Sequence, residues 1–286
     1  MANTINTNII VPDVYASLVR EKVKGKVKVA QFLVNLGDLH GKVGETIHFP
    51  KWGYIGDAKD WAINTPMEVT QMKQTQTTAT IKAIQAPAVK VADYDDEVAL
   101  GNAIEEAAEQ QSIAVGRKYD TDAIACALTS PLKYQLATKN TVTQDEMIAI
   151  LGLYGDDRDS ADFDAIVISS LFAPSFYKMD MFTSRERTMT TDGNGIAVNG
   201  VIGEFLGIPV VLSDRLYDST NTEGFILVMK KNAISIIPKE SPFAEASRDA
   251  GLRQTTIYLS QFYAMALTDD TAVVVAKKVL PQQAGK

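Results

Sequence analysis

Gly44-Glu-Thr-Ile-His-Phe-Pro-Lys-Trp52 sets Thr46 and His48 against Ile47 and Phe49, the period-two signature of a half-buried strand, with Pro50 expected to end it. A second β-type run, Met67 to Ile84, places Thr70, Thr75, Thr77, Thr78 and Thr80 among Gln71, Gln74 and Gln76. Its β propensity comes from branching and not from apolar content, and Ile81 and Ile84 are its expected buried positions. Neither run can build a core of its own. A lone two-stranded ribbon is marginal in water, and a long flat edge invites pairing with other chains. Residues 44–86 are therefore expected to form an extended ribbon that leans on another subunit; a surface hairpin on a soluble enzyme is the competing reading. Between the strands, Lys51 to Trp61 forms a tip holding both tryptophans of the chain, Trp52 and Trp61. Such a tip suits an interface, or a local cluster on Tyr54 and Ile55.

The chain has 286 residues, 46% of them hydrophobic, enough for one large or two modest cores. Its longest apolar runs, such as Ala272–Ala276 and Phe225–Met229, fall far below the roughly 18 residues of a membrane span. Met1 to Val11 lacks the basic and apolar regions of a signal peptide, so export by that route is not expected. The single cysteine, Cys126, cannot form an intrachain disulfide and reads as a small buried group on a helix. A formal net charge of −7 argues against a protein whose main work is gripping phosphate backbone. The short basic run Arg20 to Lys28 reads as a solvated arm.

Residues 1–34 begin as Asn/Thr-rich chain and continue as an arm with Val14, Leu18, Val19 and Val23 at helical spacing. From Asp93 the pattern becomes helical for about nine turns, with Leu100, Ile104, Ala108, Ser112, Val115, Tyr119, Ala123 and Cys126 forming one narrow stripe. Asp93, Asp95, Asp96 and Glu97 crowd its start, where the helix dipole favours anions, and Ser130-Pro131 stops it. Asp95 to Leu128 would make a rod of roughly 50 Å. A second helix is expected from Thr143 to Leu153, because Thr143 and Glu146 have capping-box spacing. An acidic loop, Gly155 to Asp162, then leads to a buried strand at Phe163–Ser170 and a helix at Leu171–Met181. Strands follow at Pro209–Leu212, Phe225–Met229, Ile234–Ile237, Gln254–Leu259, Tyr263–Leu267 and Thr271–Lys277. The whole reads as α+β, with an α/β part inserted between elements of another.

A search for chemistry finds little. His40 and His48 are the only histidines, and no H-E-x-x-H, paired CxxC, G-x-S-x-G or P-loop pattern occurs. In Gly193-Asn-Gly195…Gly200 the third glycine stands too late for a dinucleotide loop. Asp156, Asp157, Asp159, Asp162 and Asp164 fail the Ca²⁺-loop register, which needs glycine where Asp162 stands and glutamate where Ile168 stands. No catalytic, cofactor-binding or metal-binding residue is assigned, and no enzyme activity is expected.

The arm Val11-Pro-Asp-Val-Tyr15, the Gly44–Trp52 stretch, the helix end Gly116-Arg-Lys-Tyr-Asp-Thr-Asp122, the segment Gly203–Ser213 and the tail Asp269–Lys277 together resemble the major capsid (coat) proteins of tailed bacteriophages. The resemblance spans nearly the whole chain and is specific in order and spacing. It implies an N-arm (1–34), an extended loop with its flanks (35–92), a peripheral domain with a long spine helix (93–155), an axial domain (156–238), return strands of the peripheral domain (239–268) and a C-terminal axial strand (269–286). It also implies a subunit that assembles with itself, as pentamers and hexamers, into an icosahedral head around double-stranded DNA. That DNA is expected to be touched weakly and non-specifically, with no membrane involved. A separate scaffolding protein and a portal are the implied partners, the virion the implied location, and the host cytoplasm the place of assembly. Lys51, Trp52, Tyr54, Trp61, Thr75 and Thr77 are the expected assembly contacts. A bacterial nanocompartment (encapsulin-like) shell enclosing cargo enzymes is the alternative.

Overall fold

In the computed structural model, residues 12–24, 27–38, 44–53, 55–60, 65–67, 69–94, 103–156, 159–183, 201–239 and 242–279 are described. The elements run α1 (Pro12–Lys24), β1 (Val34–Asn35), β2 (Thr46–Trp52), β3 (Gln74–Thr80), β4 (Lys82–Ala92), α2 (Ala103–Ala127), β5 (Lys133–Gln135), α3 (Gln144–Gly152), β6 (Phe163–Ile168), α4 (Ala173–Phe176) and α5 (Asp180–Thr183). Then come β7 (Val201–Phe205), β8 (Ile208–Leu212), β9 (Tyr217–Asp218), β10 (Glu223–Gly224), β11 (Ile226–Lys230), β12 (Ile234–Pro238), β13 (Phe243–Asp249), β14 (Gln254–Leu267) and β15 (Val273–Lys277). This is an α+β fold.

Two sheets share one core. The six-stranded sheet, ordered β5-β15-β11-β6-β8-β7, is buried on both faces. Its alternation sorts the side chains: Ala165, Val167, Leu227, Val273 and Val275 face α2, while Ile166, Ile168, Val228, Val274 and Ala276 face α3 and the phenylalanines Phe172, Phe176 and Phe182. The other sheet is organised by β14, which carries β12 and then β13 along one edge and β4 along the other. The odd-numbered Tyr263, Met265 and Leu267 face the main core and α2. Ala264 and Ala266 face the opposite way, towards the ribbon.

Several expected boundaries shift, each for a physical reason. β2 runs on through Pro50 to Trp52, because in a two-stranded ribbon every second N–H points outwards and a proline costs no ladder bond there. Among the described residues of the Met67–Ile84 run, Gln74–Thr80 forms the ribbon strand; from Lys82 the chain leaves it to pair with β14. The two expected strands at 254–259 and 263–267 are one, with a register shift between Ile257 and Leu259. The expected helix 171–181 is two short turns with Pro174 at the start of the first. Residues 133–152, expected with the spine helix, contribute β5 to the six-stranded sheet and α3 to its core; Ile234–Pro238, expected with the axial part, pairs with β14. The capping box forms as expected: Glu146 N–H donates to Thr143 Oγ1 at 3.3 Å, and Thr143 N–H donates back to Glu146 Oε2 at 2.8 Å.

The spine helix α2 spans 25 residues, about 37 Å. Residues 95–102 of the expected rod, the Gly193–Gly195 turn, His40 and Asp157 lie outside the described residues. The buried stripe of α2 is wider than expected, since Gln111, Asp120 and Asp122 are buried beside the apolar positions.

Candidate functional site

The ribbon of β2 and β3 pairs antiparallel from Thr46↔Thr80 to Trp52↔Gln74, and two contacts among the described residues tie its root to the body. The first is apolar. Phe49 is fully buried against Ile81, Ala264 and Ala266, flanked by Ile47, Ala79, Ile237 and Phe262. The two alanines leave the room that its ring fills. The second contact is ionic: Lys51 Nζ donates to Asp269 at 2.8 Å and to Asp270 at 2.6 Å, on the turn between β14 and β15. Burial disfavours the Lys51 charge, but the two aspartates outweigh it and raise the amine above its ordinary value. Burial likewise pushes Asp269 up, and Lys51 with the Thr271 hydroxyl and N–H holds it below the usual carboxylate range. Lys51 and both aspartates are at least one-third exposed, so the ion pair contributes no more than about 1 kcal/mol. The phenylalanine is the stronger fastening.

Beside these contacts the ribbon stands off the body over a cleft of about 760 Å³, lined by Thr75, Thr77, Lys82, Cys126, Thr129 and Met265 among others. At the junction where β3 becomes β4, a buried carboxylate gathers three partners. Asp122 on α2 accepts a short hydrogen bond from the Tyr263 hydroxyl and a 3.0 Å bond from Lys118, with Lys82 at 3.5 Å. Burial pushes Asp122 up, yet the Tyr263 and Lys118 donors and the Lys82 charge hold it below the ordinary range. Its stabilising charge is thus fully present above about pH 4 and is lost as pH falls through the lowered value. Asp122→Asn is expected to cost about 2 kcal/mol at neutral pH, a gap from wild type that narrows below pH 4 in urea melts.

The N-arm is fastened to the same helix. Asp120 accepts from the backbone N–H groups of Val29 at 2.9 Å and Ala30 at 2.8 Å and, more loosely, Lys28, capping the 3₁₀ turn Ala30–Phe32. Burial pushes its carboxyl up against the pull of those donors. Gln111 joins three elements: its amide nitrogen donates to the carbonyls of Pro87 at 2.9 Å and Ile257 at 3.4 Å, and its oxygen accepts from Tyr15 at 2.9 Å. Those carbonyls lie at the register shift where β4 and β14 fall out of step. Desolvation there raises the Tyr15 hydroxyl to about 12.

Of the residues expected at an assembly contact, Lys51 reaches its own subunit's aspartates. Thr75 is exposed, with its hydroxyl 3.4 Å from the Lys51 carbonyl, and Thr77 is half-buried over the cleft. The backbone of Trp52 closes the ribbon ladder against Gln74, while Tyr54 and Trp61 lie outside the described residues. Sequence reasoning missed Asp269, Asp270, Asp120 and Gln111, whose partners are remote in the chain. Beyond the root, Ile55, Met67, Val69 and Met72 are exposed, Val69 to 96%. Among the described residues, no cluster of His, Cys, Asp or Glu has the grouping needed to hold a metal ion.

No protein-family model matches the chain. The major capsid protein of Staphylococcus phage phiMR11 is 28% identical over 282 residues, covering 96% of each chain. Among solved structures, the capsid of cyanophage P-SCSP1u aligns with a TM-score of 0.63 at 14% identity over 88% of each chain. The mature capsid of bacteriophage PhiM1 aligns at 0.61 with 10% identity over 98% of this chain and 92% of that one. A virus-like particle from Pyrococcus furiosus aligns at 0.59 with 9% identity, over 93% of this chain and 98% of that one. The structural likenesses establish the fold as the one seen in phage capsid subunits, and the 28% likeness to a named coat protein extends over 96% of each chain.

Proposed function

We propose that copies of this chain close into rings of five and six that tile an icosahedral head around double-stranded DNA, with the distal part of each ribbon resting on a neighbouring copy. The observation that carries the reading is the exposure of Ile55, Met67, Val69 and Met72 beyond a root fastened to its own body. Apolar side chains gathered on an extended loop gain free energy by being covered, and a shell supplies another copy at a fixed place. Trp52, Tyr54, Trp61, Thr75 and Thr77 belong to this contact in the proposal, while Lys51 shapes it from the root. A scaffolding protein and a portal complete the assembly, which takes place in the host cytoplasm, and the subunit itself performs no catalysis. The net charge of −7 supports an inner surface that tolerates DNA without gripping it. End-to-end likeness to a phage protein favours a genome over a cargo enzyme as the content.

Val69→Asp tests the loop directly. Electron microscopy of the purified wild-type chain should show closed shells or rings, and the variant should lose them. Its subunit melting should stay within about 0.5 kcal/mol, because Val69 has almost nothing to lose in its own fold. Normal shells from the variant would reject the loop contact.

A further inference from the structure

We propose that Phe49 and Lys51 are positioning residues that set the direction of the ribbon on its own subunit before any neighbour arrives, so that residues 55–60 and 69–73 move more freely than the root. The inference deepens the shell reading above and rests on it for its use, though not for its test.

Three observations converge. A two-stranded ribbon in water is marginal, so an ordered root needs a support, and the fully buried Phe49 supplies one within the chain. Lys51, two residues on, points to the same side of the strand and reaches Asp269 and Asp270, adding a second point of attachment and so fixing an angle.

The turn that receives Lys51 is itself braced. Thr268 and Asp269 donate their N–H groups to the Ala233 carbonyl at 2.9 and 3.1 Å, and the Ser130 hydroxyl donates to the Val273 carbonyl at 2.5 Å. Asp269 also accepts from the Thr271 N–H at 3.0 Å and hydroxyl at 2.8 Å. The ribbon is therefore referenced to the junction between the two sheets and the C-terminal end of the spine helix. Past Trp52 the constraint weakens. Gly53 still donates to the Lys73 carbonyl at 2.9 Å, but residues 55–60 and 69–73 are exposed and outside any regular element, and Gly56 has φ of +106°. Rings of five and six differ in the angle between neighbours, and this distal stretch is where such a difference is absorbed.

Hydrogen–deuterium exchange on the unassembled subunit tests the proposal. The ladder-bonded amides within 46–52 and 75–80, those that point to the partner strand, should exchange far more slowly than the amides of 55–60 and 69–73. Lys51→Met should speed root exchange by up to about five-fold, Lys51→Arg should stay near wild type, and Phe49→Leu should loosen the root more than Lys51→Met. Root and tip exchanging alike in the wild type would overturn the inference, as would a root indifferent to both Lys51→Met and Phe49→Leu. A protected root in a chain that forms no shells would retire the shell reading and leave the anchoring in place.

Discussion

Phe49→Ala is expected to cost about 3 kcal/mol, the low end of the range for deleting a buried phenylalanine. The ring is fully buried, yet its pocket is small: Ile81, Ala264 and Ala266 form the buried lining, and the two alanines cannot close over the space it leaves. A deeper core would charge more. Here part of the loss is relieved, because the ribbon can lift away as a unit while β14 keeps its pairing with β12, β13 and β4. The expected signature is thus local. Protease cleavage within 44–80 should rise steeply, and urea melts of the body should move much less than the ribbon's own protection. A uniform loss across the whole chain, with the ribbon no more affected than α2, would show that Phe49 belongs to the central core.

Asp120→Ala should cost a similar amount, about 3 kcal/mol, through the N-arm. Alanine leaves the N–H groups of Lys28, Val29 and Ala30 without their acceptor, and each buried unsatisfied donor costs about 1–3 kcal/mol before water or rearrangement repairs it. Asp120→Asn is the informative control. Its amide keeps an oxygen for those donors and removes the charge whose burial pushes the Asp120 carboxyl up, so most of the loss should be recovered. Urea midpoints of both variants, with exchange measured over 27–33, decide the matter. An alanine variant within 0.5 kcal/mol of wild type would mean the arm is held by α1 alone, through Tyr15, Ala16, Val19 and Val23.

How much of this was legible in the sequence depended on whether a residue's partner lay nearby in the chain. Thr143 and Glu146 announced a helix start because cap and partner are three residues apart, and the alternation at Thr46–Phe49 announced a strand because the pattern is self-contained. β13 stayed hidden: Phe243–Asp249 buries only Ala244, so its pairing with β14 leaves almost no apolar trace. The stripe on α2 was read too narrowly, because periodicity counts apolar side chains while Gln111, Asp120 and Asp122 each take a partner far away in the chain, Ile257, Val29 and Tyr263. The ribbon's socket was invisible for a related reason. Ala264 and Ala266 matter for the volume they leave empty, and a small residue in a strand carries no mark of what will fill the space beside it. The tip tryptophans drew the eye first, while the root's fastening rested on one phenylalanine and a Lys-Asp-Asp cluster.

Because β14 shows Tyr263, Met265 and Leu267 to one layer and Ala264 and Ala266 to the other, its residue count works as a gauge. Removing or adding one residue between Tyr263 and Leu267 would exchange the two sets, thrusting a tyrosine into the place of an alanine and turning the Asp269-Asp270 corner by half a pleat. Such a slip would misdirect helix packing and ribbon together, even with every side chain type retained. For anyone grafting foreign peptides into this chain, the strand from Gln254 to Leu267 is the stretch whose length must not change, whereas the exposed corner at Asp249–Leu252 can grow without disturbing either face.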